Sequence, residues 1–368
     1  VGAYFVLVMA SPRFPVSREG VTIVPKAGGV MTGHQTSETT KKIAVLFVTV
    51  AAAALFMALP GSRLHWPAMA ANYLIVLLLY VWYAARDKSL ADRGLWDYMF
   101  PAHIWSHRSS LNDGIFAFML FGLMISLFNW GIFTPKYFVS LAMSLSSLLP
   151  PATQGEKPGL LVMVYFTLQA IVFAEFFYYW QHRLSHTLPA MWAFHKVHHS
   201  AKVMTPLAVY RLHPVDFWLT SATKGFGYGL NLVIFMHFYP SKEAAITILG
   251  ANAVMFFLGI FGGVLHHSHV WISFGPVLER FIISPAQHQV HHSDNPQHYN
   301  KNFSSMLSLW DWVFGSLYVT RWKDEKLTLG LGDEKAEAPY QNPLSMLLYP
   351  FRENAQLAAK RIRKRRKA

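Results

Sequence analysis

Residues 160–199 read LLVMVYFTLQAIVFAEFFYYWQHRLSHTLPAMWAFHKVHH. The first part, Leu160–Trp180, is almost wholly apolar, and about 20 such residues suffice to cross the hydrocarbon core of a bilayer. Directly behind it stand His182 and His186, then His195, His198 and His199. On a helix, positions three and four apart share one face, with Cβ atoms about 5–6 Å apart. The stretch therefore reads as a membrane span that delivers chelating histidine pairs at its end.

Working outward, Ile43–Pro60, Met69–Ala85, Ile115–Phe133 and Ala244–Leu265 are further candidate spans. Val215–Phe238 is a sixth, interrupted by Lys224 and several glycines, and Tyr137–Leu149 is short enough to read as interfacial or re-entrant. With six crossings, Lys41, Lys42, Arg86, Lys88, Arg93, Arg108, Arg183, Lys196, Lys202, Arg211 and the C-terminal basic run all fall on one side. The positive-inside rule makes that side cytoplasmic, and every histidine cluster lies on it. The expected fold is an all-α polytopic membrane bundle of about four to six spans with a cytoplasmic helical cap. Its parts are a polar lead (1–40, with Met31 as the expected start), an N-terminal transmembrane region (41–158), a catalytic region (159–320) and a basic tail (321–368).

Composition agrees. Of 368 residues, 53% are hydrophobic and 14% charged, with a mean hydropathy of +0.26, against about 25% charged in soluble domains. No cysteine is present, which excludes disulfides, thiolate-bound zinc and cysteine-held iron–sulfur clusters. The net charge of +13 concentrates in Lys360–Lys367; beside a membrane this reads as an anchor to anionic headgroups and not as a nucleic-acid site.

Fourteen of the 18 histidines fall between His182 and His298. The third cluster, His288-Gln-Val-His291-His292, repeats the pattern of His195-Lys-Val-His198-His199. Adjacent residues on a helix point about 100° apart, so each His-His pair can serve two metals. The eight imidazoles of the three clusters suit iron, zinc, copper or nickel. A lone histidine would more often be a core or interfacial residue, and His34, His65, His103, His107 and His237 are read that way. Glu175 lies seven residues before His182, on the same helical face and about 10 Å deeper. An acid inside a span tends to be functional, and the expectation is that its carboxylate holds a ligand imidazole from behind, the alternative being a pairing with a polar group of a neighbouring span. His213 is expected in a similar supporting role.

The three clusters, with Tyr179-Trp180, Arg211-Leu-His213-Pro214, Pro285, Asn302-Phe303 and Leu309-Trp310-Asp311 through Phe314-Gly315, resemble the membrane-bound fatty acid hydroxylase and sterol desaturase superfamily over about Glu175–Thr320. The resemblance implies a ninth ligand before the third cluster: His267 by alignment on Gly275-Pro276 and Leu278-Glu279, with His266 and His269 as alternatives. It further implies two ferrous ions held by His182, His186, His195, His198, His199, His267, His288, His291 and His292, with dioxygen as co-substrate. The implied reaction is hydroxylation or desaturation of a sterol-like or fatty-acyl lipid. No nucleotide-binding or flavin motif occurs, so a separate ferredoxin or cytochrome with its reductase is the implied electron donor. A membrane metalloprotease would need an HExxH motif, which is lacking. A histidine-rich metal transporter is the main non-enzyme alternative, and it would want acidic ligands at mid-membrane.

Overall fold

The computed structural model describes residues 66–128, 135–148, 158–239, 247–248, 251–252, 263–322 and 324–367. Its helices are α1 (Trp66–Ala84), α2 (Lys88–Met99), α3 (Ala102–Trp105), α4 (Arg108–Phe128), α5 (Pro135–Ser144), α6 (Leu160–Thr187), α7 (Pro189–His199), α8 (Pro214–Phe238), α9 (Gly275–Leu278), α10 (Pro285–His291), α11 (Leu309–Val313), α12 (Glu334–Glu337) and α13 (Pro343–Arg365). A two-residue antiparallel pairing, Thr247–Ile248 with Ala251–Asn252, is the one ladder among the described residues.

The expected spans at Met69–Ala85 and Val215–Phe238 appear as α1 and α8, and the described part of Ile115–Phe133 lies in α4. Ile43–Pro60, most of Ala244–Leu265 and the lead before residue 41 lie outside the described residues. Among those described, α6 is the one helix long and apolar enough to cross a membrane, and Met69–Ala84 is apolar but shorter. The segment read as interfacial is helical but short: α5 runs for 10 residues before a turn of 3-10 helix at Leu145–Leu148.

The sequence around Pro189 turns the chain at the point that matters. A proline disfavours helical backbone in the residue before it, and Leu188 is extended at φ −95° and ψ 116°. Proline is also well placed at a helix's first position, so α7 starts at once. The result is a sharp corner that folds α7 back on the end of α6 and brings both histidine clusters together.

Helix α8 packs along α6 and α5 through glycines. A Cβ at Gly227 would lie 3.0 Å from the Ala174 Cα, and one at Gly229 would lie 2.4 Å from the Ala142 Cβ. Gly229→Val is therefore expected to push α8 off α5, costing about 1–3 kcal/mol as overpacking does. A thermal melt of the purified protein in detergent checks this, and an unchanged midpoint would contradict the close packing.

Candidate metal centre

Three polar devices fix the helices that carry the histidines. Arg211, with no exposed surface, donates from Nε to the Val197 carbonyl and from Nη2 to that of Ser200, capping α7; Nη1 pairs with Asp113 of α4 at 2.7 Å, and Nη2 also reaches the Tyr340 carbonyl. Helix α10 begins with a capping box in which Ser284 and Gln287 satisfy each other's backbone amides. Gln289 then donates to the carbonyls of Ser268 and Val270, tying the segment that bears His267 to α10.

These constraints gather nine imidazoles into two adjoining groups. One holds His182, His186, His195, His199 and His291, the other His198, His267, His288 and His292, and the ring nitrogens within each group lie within 4.8 Å of one another. In all three clusters the i, i+4 pair stays in one group: His182 with His186, His195 with His199, His288 with His292. The i+3 member, His198 or His291, falls in the other group, as its angular offset on the helix dictates. His199 and His292 stack at 4.5 Å where the groups meet.

The rings point their Nε2 atoms inward. The His182–His195 Nε2 separation is 3.0 Å, and those of His195–His199, His198–His267, His267–His288 and His288–His292 are 3.1–3.2 Å. Several Nδ1 atoms face outward onto acceptors: His182 onto the Phe303 carbonyl, His267 onto Gly263 at 3.0 Å and His291 onto Lys301 at 2.7 Å. A carbonyl only accepts, and a neutral imidazole has one N–H. In these three rings the proton is therefore on Nδ1 and the inward Nε2 carries a bare lone pair. The buried Nε2 atoms of His186 and His291 have no hydrogen-bond partner. Burial foremost, with neighbouring imidazoles, holds His198, His199, His288 and His292 well below the usual histidine range, and burial lowers His291 to about 3. Crowded neutral lone pairs repel unless a cation sits among them. Nitrogens bound to one metal at about 2.0–2.1 Å sit about 3 Å apart, so the donor set fits two nitrogen-ligated metals.

The expected ligands thus all meet, His267 among them. The alternatives lie to the side. His266 stacks on His288 at 5.1 Å without joining either group, and His269 turns its Nε2 to the Tyr98 carbonyl at 2.8 Å. His213 caps α8 through Nδ1 and donates from Nε2 to the Leu347 carbonyl, so it supports the scaffold. His103, His107, His237 and His298 also lie outside both groups.

Glu175 follows the alternative, a pairing with the neighbouring helix through Lys224, and not the expected contact with a ligand imidazole. No histidine is among its partners: it accepts from the amides of Ser305, Met306 and Leu307, from the Ser305 hydroxyl and from Lys224 at 3.3 Å. Asp311 accepts from the amides of Phe303 and Ser304. Together the two carboxylates hold a backbone strap, residues 303–307, whose Phe303 carbonyl aims His182, and the Lys301 carbonyl just before it aims His291. The residue that does hold a cage imidazole directly is Asp216, whose Oδ2 accepts from His195 Nδ1 at 2.8 Å. An acid just inside the expected span Val215–Phe238 was the available signal, and Lys224 in the same span was the matching sign of a buried partner for Glu175.

A cavity of about 30 Å³ borders both groups, walled by Tyr178 and Gln181 of α6, Thr220 of α8, Leu212, Val209 and Ser305.

Residues 167–316 match the fatty acid hydroxylase family. The chain is similar to alkylglycerol monooxygenase of Homo sapiens, 30% identical over 165 residues that cover 44% of this chain and 32% of that protein. It is 26% identical over 186 residues to ornithine lipid hydroxylase OlsE of Rhizobium tropici, covering 49% of this chain and 50% of that one. Lathosterol oxidase of Homo sapiens is 28% identical over 163 residues, covering 44% and 48%. The chain thus spans between 32% and 50% of these relatives' lengths. No solved structure matches it.

Proposed function

We propose that the chain, whose residues 167–316 match the fatty acid hydroxylase family, is a membrane-bound oxidoreductase of the fatty acid hydroxylase and sterol desaturase superfamily that hydroxylates or desaturates a lipid. The observation that carries the reading is the convergence of nine imidazoles, eight buried and His186 half-buried, into groups of five and four. The four-nitrogen and five-nitrogen sets would hold two irons, which supply the dioxygen chemistry when bound.

Hydroxylation takes one C–H bond, dioxygen, two electrons and two protons to an alcohol and one water. Desaturation takes two adjacent C–H bonds and the same reagents to an alkene and two waters. The protein's part is to fix the imidazoles, exclude bulk water and admit a carbon chain. In this reading the substrate reaches the cage from the bilayer, and the water-sized cavity walled by Tyr178 and Thr220 is the open space beside both imidazole groups. Two electrons per turnover require an external donor, a ferredoxin or a cytochrome with its reductase, and the basic face around α13 suits docking of an acidic carrier. In this reading the cage lies on the cytoplasmic side of a multi-pass bundle, with the lead, transmembrane, catalytic and tail regions bounded at 40, 158 and 320.

Purified protein is expected to hold two irons per chain by elemental analysis. Lipid extracts of cells with and without the chain should differ by one oxygen or two hydrogens in a defined lipid class. Weakly held, exchangeable zinc with an unchanged lipid profile would replace this reading with metal transport.

A further inference from the structure

Among the described residues, one carboxylate is hydrogen-bonded to the imidazole cage, and it stands behind the five-imidazole group. Among the described buried carboxylates, Glu175 and Asp311 are taken up by loop amides, Asp113 by Arg211, Glu279 by Ser273, Ser284 and Thr320, and Glu337 by Lys202 and the Leu331 amide. Asp216 is the one that meets a cage histidine, with its side chain 3% exposed.

We propose that Asp216 is a positioning residue that makes the five-imidazole group the tighter of two unequal metal subsites, so that the four-imidazole group fills second and empties first. The proposal rests on the dimetal reading above.

The carboxylate is itself held in place. Gln181 Nε2 donates to Asp216 Oδ1 at 3.4 Å and to Ser185 at 2.9 Å, while the Thr220 hydroxyl donates to Gln181 Oε1 at 3.1 Å and fixes which way the amide faces. A carboxylate hydrogen-bonded to Nδ1 fixes an imidazole's tautomer and ring plane and raises the basicity of Nε2. Within the five-imidazole group, His182, His195 and His291 are all anchored through Nδ1. In the four-imidazole group His267 is anchored on a neutral carbonyl, and the buried Nδ1 atoms of His198 and His288 have no hydrogen-bond partner. Fewer nitrogens and fewer anchored rings weaken the four-imidazole group, while the Asp216 carboxylate strengthens the other.

The test is release of iron from the loaded, detergent-purified protein to a ferrous chelator. Wild type is expected to lose its two irons in two phases of equal amplitude. Asp216→Asn, which keeps the shape and removes the charge, should accelerate the slow phase about 10–100-fold, the usual effect of removing such a partner, and leave the fast phase unchanged. Asp216→Glu should restore part of the slow phase. Cobalt titrated into the metal-free protein gives a second readout: Asp216→Asn should alter the visible band of the first equivalent and not that of the second. Should Asp216→Asn not accumulate, Gln181→Leu removes the amide donor and keeps the carboxylate, and a smaller acceleration of the slow phase alone is expected. Two irons leaving at one rate, or a slow phase untouched by these variants, overturns the inference and leaves the dimetal reading standing. A wild-type chain with fewer than two irons overturns the dimetal reading itself.

Discussion

His291→Ala is expected to reduce lipid oxidation to background while the protein still inserts and folds. Its Nε2 is buried in the five-imidazole group with no hydrogen-bond partner, and its Nδ1 is fixed on the Lys301 carbonyl. Deleting the ring removes one of the five nitrogens of its group, and the neighbouring His182 and His195 are each held in their own positions through Nδ1. The loss should exceed the roughly 100-fold upper range seen when only a supporting partner of a ligand is removed. His198→Ala makes the same prediction from the other group. His269→Ala is the control, since that ring faces the Tyr98 carbonyl, and it should keep most turnover while His267→Ala does not. Retained oxidation in His291→Ala or His198→Ala, measured as product per chain, would remove the cage as drawn.

The second large effect is structural. Arg211→Met leaves Asp113 buried and uncompensated, and breaking a buried pair from one side costs about 3–5 kcal/mol. It also uncaps α7, the helix that carries His195, His198 and His199, and frees the Tyr340 carbonyl. The expected outcome is a lower melting temperature in detergent together with lost metal, because the same residue joins α4, α7 and the C-terminal segment. Arg211→Met combined with Asp113→Leu should recover part of the stability, since the stranded charge is gone. An Arg211→Met protein that melts like wild type and binds two metals would contradict this account.

Much of the centre was legible as pattern. The i, i+3 and i, i+4 spacings put chelating faces on α7 and α10, whereas the corner at Pro189 that joins α6 to α7 was not among the sequence expectations. The ninth position was not legible in the same way. His266, His267 and His269 stand on turns and not on a helix, so no periodicity says which ring faces inward; the Gln289 hydrogen bonds to the Ser268 and Val270 carbonyls do. Glu175 shows the opposite failure. Lys224 of α8 was a visible partner, but the backbone amides that Glu175 also meets lie 130 to 132 residues away along the chain, where sequence spacing has nothing to say.

By itself, then, the sequence determined that an apolar helix ends in a set of neutral nitrogen donors able to chelate, because helix periodicity is a local property. Only the tertiary structure decided how those donors divide into five and four, which imidazole completes the second group, and that Asp216 stands behind His195. Those are contacts between segments far apart in the chain, set by backbone amides and carbonyls and by buried charges that each need a partner.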